Sequence, residues 1–294
     1  ATIRNVLING NVTTTSQVGH ALGDSSYNPE SIIVGSGTFT NSGGHTYVKD
    51  LTIATGGTFA PTHGSDKDVG LHGDFTTSGG LIGKSAFDFD GSSGLITCGS
   101  DSSIDNIFDG GGTVEAWINV DSDGETDGAR IIDKGGVIDL RTYSHHSGNG
   151  TVNLEFTQFF ASGKYQFQTG AVLSTGKWHH IAMTYNCAAT TNRATLYVDG
   201  KSVPLTTSVD SGSGSRGDDS SHNLILGNRA ADDKTIEGRI AMVRMFDDIR
   251  TESEIRADMF NNFASMANNG NLQLMYQFDE GTGTSVADVS AESN

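Results

Sequence analysis

The chain has 294 residues, and its 35 acidic side chains outnumber its 18 lysines and arginines, giving a formal net charge of −17. Such a surface disfavours nucleic acid and anionic membranes as partners, because both would be repelled. No apolar stretch approaches the roughly 20 residues of a membrane-spanning helix, so we expect no membrane insertion. The 39 glycines, with Ser, Thr, Asn and Asp between short apolar runs, predict a β-rich protein with many tight turns.

Residues 1–84 form the first predicted domain and contain a short repeat. Gly-Thr-Phe begins at Gly37 and Gly57, and a related Gly-Asp-Phe begins at Gly73. Units this short cannot bury their own apolar face, so they must stack on one another or on a partner chain. The pattern predicts a β-rich anchoring arm, either a small solenoid or strands that intertwine in a homo-oligomer.

The second predicted domain, residues 85–260, begins with a strand in which Phe87 and Phe89 face the core and the intervening aspartates face solvent. Thr251, followed three residues later by Glu254, predicts the start of a short helix. Further strands are predicted at residues 113–120, 130–136, 177–185, 194–199, 224–228 and 236–246.

The most regular of these strands is the one at residues 177–185. Its period-2 alternation places Trp178 and His180 on one face, and Ile181 and Met183 on the other. The following strand ends in an Asp-Gly turn at Asp199, which is typical of a hairpin. The pair therefore indicates antiparallel strands of a two-sheet β-sandwich.

The motifs of residues 86–260 resemble those of laminin G-like domains, the concanavalin A-like jelly rolls that also include pentraxins. The resemblance rests on Val-Glu-Ala-Trp-Ile at residues 114–118, Trp-His-His-Ile-Ala-Met-Thr-Tyr at 178–185, Leu-Tyr-Val-Asp-Gly-Lys at 196–201 and Leu-Ile-Leu-Gly-Asn at 224–228, in that order. It implies an all-β concanavalin A-like β-sandwich (jelly roll), preceded by the β-rich Gly/Thr repeat arm. It also implies binding of carbohydrate.

The third segment, residues 261–294, is a C-terminal extension. Residues 272–283 resemble the sequence that usually opens such a domain, so we expect the extension to add a strand to the sandwich. The alternative is that they begin another module. Cys98 and Cys187 are too few for a disulfide scaffold, and we expect free buried thiols unless the two strand ends meet.

Calcium is the predicted cofactor. Asp121, Asp123 and Asp127 alternate around a glycine turn, which suits a hard cation, and we expect Asp218-Asp219 and Asp232-Asp233 to join the same rim. Laminin G-like domains and pentraxins often hold calcium at a loop-rich edge. The loop lacks the distal glutamate of an EF-hand, and a solvated acidic hairpin is the alternative interpretation.

The sequence predicts no enzyme. Endo-glucanases of this fold carry a Glu-x-Asp-x-x-Glu run that places two carboxylates on one side of a strand; no such run occurs here, and Glu115 is alone on its strand. The adjacent pairs His145-His146 and His179-His180 project in different directions and make poor chelates.

Two further patterns bear on binding. Arg216-Gly217-Asp218 spells an integrin-type tripeptide, but a flexible Ser/Gly-rich loop explains it equally well. Several aromatic side chains offer surfaces on which sugar rings stack, and Phe159 and Phe160 cannot both face the core of one strand. This set comprises Tyr143, Phe159, Phe160, Tyr165 and Phe167.

We therefore expect a non-enzymatic virion structural protein of a tailed phage, whether fibre, spike or capsid decoration. Its arm, which resembles leading segments of such proteins, would attach to other virion proteins, and its sandwich would bind a host-surface glycan. The N-terminus shows no signal-peptide pattern, which favours synthesis in the host cytoplasm and location in the virion. The alternatives are an extracellular bacterial adhesin with the same carbohydrate-binding sandwich and a polysaccharide hydrolase.

Overall fold

The structure is a computed structural model, and the chain divides into two compact units, Ala1–Leu81 and Ile82–Asn294. No helix in the part of the chain that it describes is long and apolar enough to cross a membrane. The residues described are 5–9, 12–14, 31–41, 46–48, 50–53, 57–61, 69–71, 75–77, 86–126, 128–146, 150–189, 192–261, 266, 269–280 and 284–292.

The N-terminal unit is built from parallel strands. The long strand β3 pairs with β1 and β5 through its first half and with β2 and β6 through its second half, while β4 pairs with β7 and β5 with β8. Successive passes of the chain thus stack as a solenoid. The strands are β1 (Asn5–Asn9), β2 (Val12–Thr14), β3 (Ser31–Asn41), β4 (Thr46–Val48), β5 (Asp50–Ile53), β6 (Gly57–Pro61), β7 (Val69–Leu71) and β8 (Phe75–Thr77).

Two copies of the repeat stack in register. Gly37 pairs with Gly57, and Phe39 pairs with Phe59, so identical residues of the two copies occupy matching positions in the ladder. The third copy does not continue this column, because Phe75 pairs with Leu51 of β5. The 16 residues from Gly57 to Gly73 therefore do not form one turn of the solenoid, because the third copy pairs in a different ladder from the first two.

The second unit is a sandwich of two antiparallel sheets. Its seven-stranded sheet has the order β18-β17-β16-β11-β22-β23, and β9 also pairs with β22. The strands of this sheet are β9 (Phe87–Asp90), β11 (Gly112–Val120), β16 (Trp178–Tyr185), β17 (Thr195–Val198), β18 (Lys201–Val203), β22 (Glu237–Phe246) and β23 (Leu272–Tyr276).

The eight-stranded sheet has the order β10-β21-β12-β13-β14-β15-β19, and β20 pairs with β14. Its strands are β10 (Ile96–Thr97), β12 (Arg130–Lys134), β13 (Ile138–His146), β14 (Thr151–Ser162), β15 (Lys164–Ser174), β19 (Leu205–Asp210), β20 (Ser213–Arg216) and β21 (Leu224–Leu226). The all-β jelly roll predicted from the sequence is confirmed.

The main core lies between the two sheets and takes alternate side chains from strands such as β14 and β16, whereas β12 contributes the consecutive Ile131 and Ile132 where its register shifts. On β16, Ile181 and Met183 belong to this core. His180 points to the opposite face, where its ring lies 5.4 Å from that of the buried Trp117. The alternation predicted for this strand is confirmed. One assignment was wrong: Phe89 is buried, but Phe87 is 41% exposed, because its ring lies beside Phe89 at the sheet edge.

The C-terminal strand β23 lies antiparallel to β22 in the seven-stranded sheet. It pairs with Val243–Phe246 at one end of β22, while β9 pairs with the other end, Glu237–Ile240. The first and last strands of the sandwich thus share one edge of β22. The helix α1 (Glu252–Asp258) begins at Thr251, whose side chain accepts from the backbone N–H of Glu254, as predicted.

A buried charged cluster of Glu115, His180 and Arg244 lies on the outer face of the seven-stranded sheet and contacts the end of α1. Arg244 lies 3.3 Å from Glu115, and His180 lies 3.6 Å from the same carboxylate oxygen. Arg244 also donates to the backbone carbonyl of Asp258, the last residue of the helix, at 2.8 Å. Burial acts to raise the pKa of Glu115, but Arg244 and His180 outweigh it and hold that pKa below its ordinary value.

Cys98 and Cys187 are free and buried, as the sequence predicted. Burial raises the pKa of each thiol to about 12, and the thiolate is the form that alkylating reagents attack. We expect iodoacetamide at pH 8 to modify neither cysteine in the folded protein and both in urea, as followed by mass spectrometry. Rapid labelling of the folded protein would contradict this prediction.

Candidate carbohydrate-binding face

The eight-stranded sheet carries a polar surface on the side turned away from the core, called here the polar face. Along β13 and β14 the core takes Leu140, Leu154 and Phe156, so the intervening side chains lie on the other side. The polar face comprises Arg130, Asp133, Asp139, Arg141, Asn153, Glu155, Thr157, Gln166 and Gln168.

Strand register arranges these side chains in rows across the sheet. In one row Asp133 pairs with Asp139, Asp139 with Thr157, and Thr157 with Gln166. In the next row Arg130 pairs with Arg141, Arg141 with Glu155, and Glu155 with Gln168. Directly opposed residues on neighbouring strands interact, so each row is a continuous line of hydrogen-bonding groups.

Arg141 is the centre of this surface. It forms an ion pair with Glu155, lies 3.4 Å from Asp139, and donates to the hydroxyl of Thr157 at 3.2 Å. Gln166 donates to the second oxygen of Glu155 at 2.7 Å. The planar guanidinium therefore fixes groups from two strands.

Arg130 holds the neighbouring carboxylates. Its guanidinium lies 3.5 Å from Asp133 and 3.5 Å from Asp139. Burial raises the pKa of Asp133, Asp139 and Glu155, although the nearby arginines act to lower it. Burial also lowers the pKa of Arg130. The polar face is thus a largely desolvated network in which two guanidinium groups contact three carboxyl groups.

Aromatic side chains lie towards the two ends of the polar face. Tyr143 pairs with Asn153 in the row beyond Arg141, whose guanidinium lies 5.9 Å from the tyrosine ring. Phe159, at the far end of β14, is 39% exposed, whereas Phe160 is buried. The prediction that one of these two phenylalanines is exposed is confirmed. Tyr165 and Phe167 belong to the core.

Comparison with known proteins identifies the sandwich. The model of a laminin G family, described as the concanavalin A-like lectin/glucanases superfamily, matches residues 90–256, more than half of the chain. The chain belongs to this superfamily. No curated protein matches it.

Solved structures similar to this chain include one with a TM-score above 0.5, which shows the same fold. A presumed carbohydrate-binding protein from Bacteroides ovatus is 23% identical, with a TM-score of 0.51, over 73% of this chain; the match spans only 58% of that protein. The CBM40 of Ruminococcus gnavus IT-sialidase, bound to α2,3-sialyllactose, is 15% identical, with a TM-score of 0.39, over 61% of this chain and 98% of its own. Mouse laminin α1 domains LG4-5 are 15% identical, with a TM-score of 0.40, over 70% of this chain and 47% of their own.

Two of the three residues predicted to bind calcium, Asp121 and Asp123, lie at one end of the concanavalin A-like sandwich. Asp121 and Asp123 follow β11, and Asp127 lies outside the described residues. The loop that bears Asp233 contacts theirs, because Thr126 donates to the Asp233 carbonyl at 3.2 Å. Among the residues that the structure describes, no group of three or more His, Cys, Asp or Glu side chains is placed to hold a metal. Calcium therefore stays a prediction.

The second acidic loop does not join that rim. Asp219 lies 3.0 Å from the Lys134 ammonium, and its backbone N–H donates to Asn106. Lys134 ends β12, whereas the loop of Asp121 precedes the start of that strand, so the two acidic loops lie at opposite ends of the sheet. The convergence expected for Asp218-Asp219 was therefore wrong, whereas the loop of Asp233 does meet that of Asp121. The order of the strands, and not the similarity of the loops, decides which loops meet.

The other candidate motifs have structural partners. Arg216 of the Arg-Gly-Asp tripeptide lies 2.6 Å from Asp109 and 3.5 Å from Asp219, so its side chain is engaged within the sandwich. His179 lies 2.9 Å from Asp199 and accepts a backbone N–H at 3.1 Å. His145 and His146 are the last two residues of β13, and their side chains lie outside the described part of the structure.

The carboxylates of the polar face were missed in the sequence. The search for a catalytic or binding pair looked along single strands, whereas Asp139 and Glu155 come together across two strands through Arg141. Alternating charged residues in β13 were the available signal, since a half-buried strand shows its polar side chains at every second position.

Proposed function

We propose that the sandwich is a non-catalytic module that binds a glycan on its polar face. The observation that carries the proposal is the set of fixed amide, carboxylate and guanidinium groups between two aromatic side chains. Sugar hydroxyls pair with such groups, and the apolar faces of sugar rings stack on aromatic rings. Asn153, which is 8% exposed, adds an amide group beside Tyr143 at one end of this surface.

The charge of the surface favours a neutral glycan. Arg130 and Arg141 are each shared between two carboxylates, so neither offers an unpaired cation to an acidic sugar. The whole chain also carries a net charge of −17, which repels anionic polysaccharides.

The length of the surface suits an oligosaccharide. Tyr143 lies opposite Asn153, which is six residues before Phe159 on β14. At about 3.3 Å per residue, the two aromatic side chains are roughly 20 Å apart along the strand. We infer that an extended glycan lies along β14, with rings near both ends stacked on these side chains.

Hydrolysis is the second candidate, because Asp139 and Glu155 are two carboxylates with raised pKa values on neighbouring strands. Against it, Arg141 contacts both groups and holds them as ion pairs. The general acid of a glycosidase must already carry its proton when the sugar binds, and an ion pair with arginine favours the deprotonated carboxylate. We therefore expect binding without release of reducing sugar.

For the whole chain we propose a virion structural role in a tailed phage, with the first unit attaching it to other virion proteins as a homo-oligomer. The stacked parallel strands of that unit support this proposal, since repeated short strands give an extended scaffold. A bacterial surface adhesin is the alternative. Immunogold labelling of particles against labelling of intact cells distinguishes the two.

The glycan proposal is tested by replacing Phe159 with alanine. We expect Phe159→Ala to weaken binding of a neutral polysaccharide about tenfold, because a stacked aromatic side chain contributes about 1–2 kcal/mol to affinity. Neutral glycans identified on an array would be titrated by calorimetry with the full chain.

The matched control is Phe87→Ala, which removes a phenylalanine of similar exposure, 41% against 39%, from the other sheet. It should leave affinity unchanged. Equal losses in both variants would contradict a site on the polar face. Repeating the titration with a chelator tests calcium at Asp121, Asp123 and Asp127: unchanged affinity would speak against a required ion.

A further inference from the structure

Lys134 is a lysine on the core side of a β-sandwich. On β12 it pairs with Ile138 on one side and Leu224 on the other, and both partners belong to the main core. Its side chain is 0% exposed. Lysine is almost never fully buried unless its ammonium is paired, so the groups around it decide what it does.

Two carboxylates and one carbonyl surround the ammonium. Lys134 Nζ lies 2.5 Å from Asp105 Oδ1 and 3.0 Å from Asp219 Oδ1, and it donates to the backbone carbonyl of Ile104 at 3.0 Å. The side chain of Asp105 is 16% exposed and that of Asp219 is 2% exposed. The Lys134 ammonium therefore contacts the carboxyl group of Asp105, and the more deeply buried carboxyl group of Asp219 lies beside it.

The two carboxylates differ in their other partners. Asp219 accepts the backbone N–H of Asn106 at 2.7 Å and lies 3.5 Å from Arg216. These contacts fix its position and balance its charge. Lys134 and Asp105 remain as a directly contacting pair, with Asp219 as a neighbouring proton acceptor.

We propose that Lys134 and Asp105 form an amide bond within the folded chain. Asp219 takes one proton from the ammonium, and the free amine attacks the carboxyl carbon of Asp105. The new bond joins Nζ to that carbon, and one carbon–oxygen bond breaks. Asp219 returns its proton to the departing oxygen, which takes a second proton from the nitrogen and leaves as water. Ammonium and carboxylate thus become amide and water, with no oxidant, reductant or cofactor.

The surroundings favour this reaction over a lasting ion pair. Lys134 Nζ is held 2.5 Å from Asp105 Oδ1, an oxygen bonded to the carbon that the amine would attack. Holding reacting groups in contact converts a bimolecular step into an intramolecular one with a large rate advantage. Burial penalises both charges of the pair, and the neutral amide removes that penalty. The neighbouring Ile104, Ile138 and Leu224 are buried, so the Lys134 ammonium lies in apolar surroundings.

Intact mass spectrometry of the full chain tests the proposal. We expect the folded protein to be lighter than its sequence by one water molecule, and Asp105→Ala and Lys134→Met each to have the full mass. Digestion should yield a branched peptide that joins the segments containing Lys134 and Asp105. A wild-type protein of full mass, folded by circular dichroism, would overturn the cross-link and leave a salt bridge.

The role of Asp219 has its own test. Asp219→Asn keeps the shape of the side chain but cannot carry the proton, so we expect it to fold and to retain the full mass. The matched control, Asp109→Asn, changes an exposed aspartate that contacts the same Arg216 and should still lose water. Full cross-linking of Asp219→Asn would overturn the assignment of Asp219.

Discussion

Replacing Arg244 with methionine is expected to lower the free energy of unfolding by about 3–5 kcal/mol, because a buried carboxylate is then left without its cation. Arg244 lies 3.3 Å from Glu115, and both side chains are fully buried. The substitution also removes the donor to the Asp258 carbonyl at the end of α1. Urea unfolding followed by tryptophan fluorescence measures the effect, since Trp117 lies in the same region.

The control lies on the same strand. Arg239 forms an exposed ion pair with Asp88 at 2.9 Å, and Arg239→Met should cost at most about 1 kcal/mol. The double variant Arg244→Met with Glu115→Met should recover much of the lost stability, because apolar side chains of similar size replace a buried ion pair with little penalty. Similar losses of unfolding free energy for Arg244→Met and Arg239→Met would show that the buried ion pair stabilises the fold no more than the exposed one.

The second large effect is expected from Arg141→Met on the polar face. The variant leaves Glu155 without its ion-pair partner and weakens the pairing of Asp139, so we expect a loss of about 3–5 kcal/mol at pH 8 and loss of glycan binding. Burial already raises the pKa of both carboxyl groups, and removal of the cation acts in the same direction.

The sign of the pH dependence follows from these pKa directions. A carboxyl group whose pKa is higher in the folded than in the unfolded state stabilises the fold below its ordinary pKa, and that contribution is lost as pH rises through the folded value. The deficit of Arg141→Met relative to wild type should therefore shrink between pH 8 and pH 5. Arg193→Met, which removes an exposed ion pair with Asp210, serves as control and should change little at either pH. An unchanged deficit would contradict the argument.

The parts of the fold that the sequence predicted are those governed by local rules. Alternation in β16 separated His180 from Ile181 and Met183, because successive side chains of a strand point to opposite faces. Thr251 and Glu254 marked the start of α1, because a capping box satisfies backbone groups within one turn.

The parts that escaped prediction depend on which distant segments meet. Glu155 faces Arg141 because of the register between β13 and β14, and that register contains an irregularity between Tyr143 and His146 that no local pattern announces. Phe87 was misplaced for a related reason: β9 covers only one end of β22, so alternation alone did not show that one phenylalanine is left at the edge.

The in-register column of Phe39 on Phe59 gives the N-terminal unit a modular character. A duplicated coil would present the same glycines and phenylalanines to its neighbours as the original does, and each added layer would lengthen the unit by about 4.8 Å. A segment extended by whole repeats would thus gain reach while each new strand finds the same kind of partner. Insertions of a fractional coil, in contrast, would shift phenylalanine out of the column and break the stack.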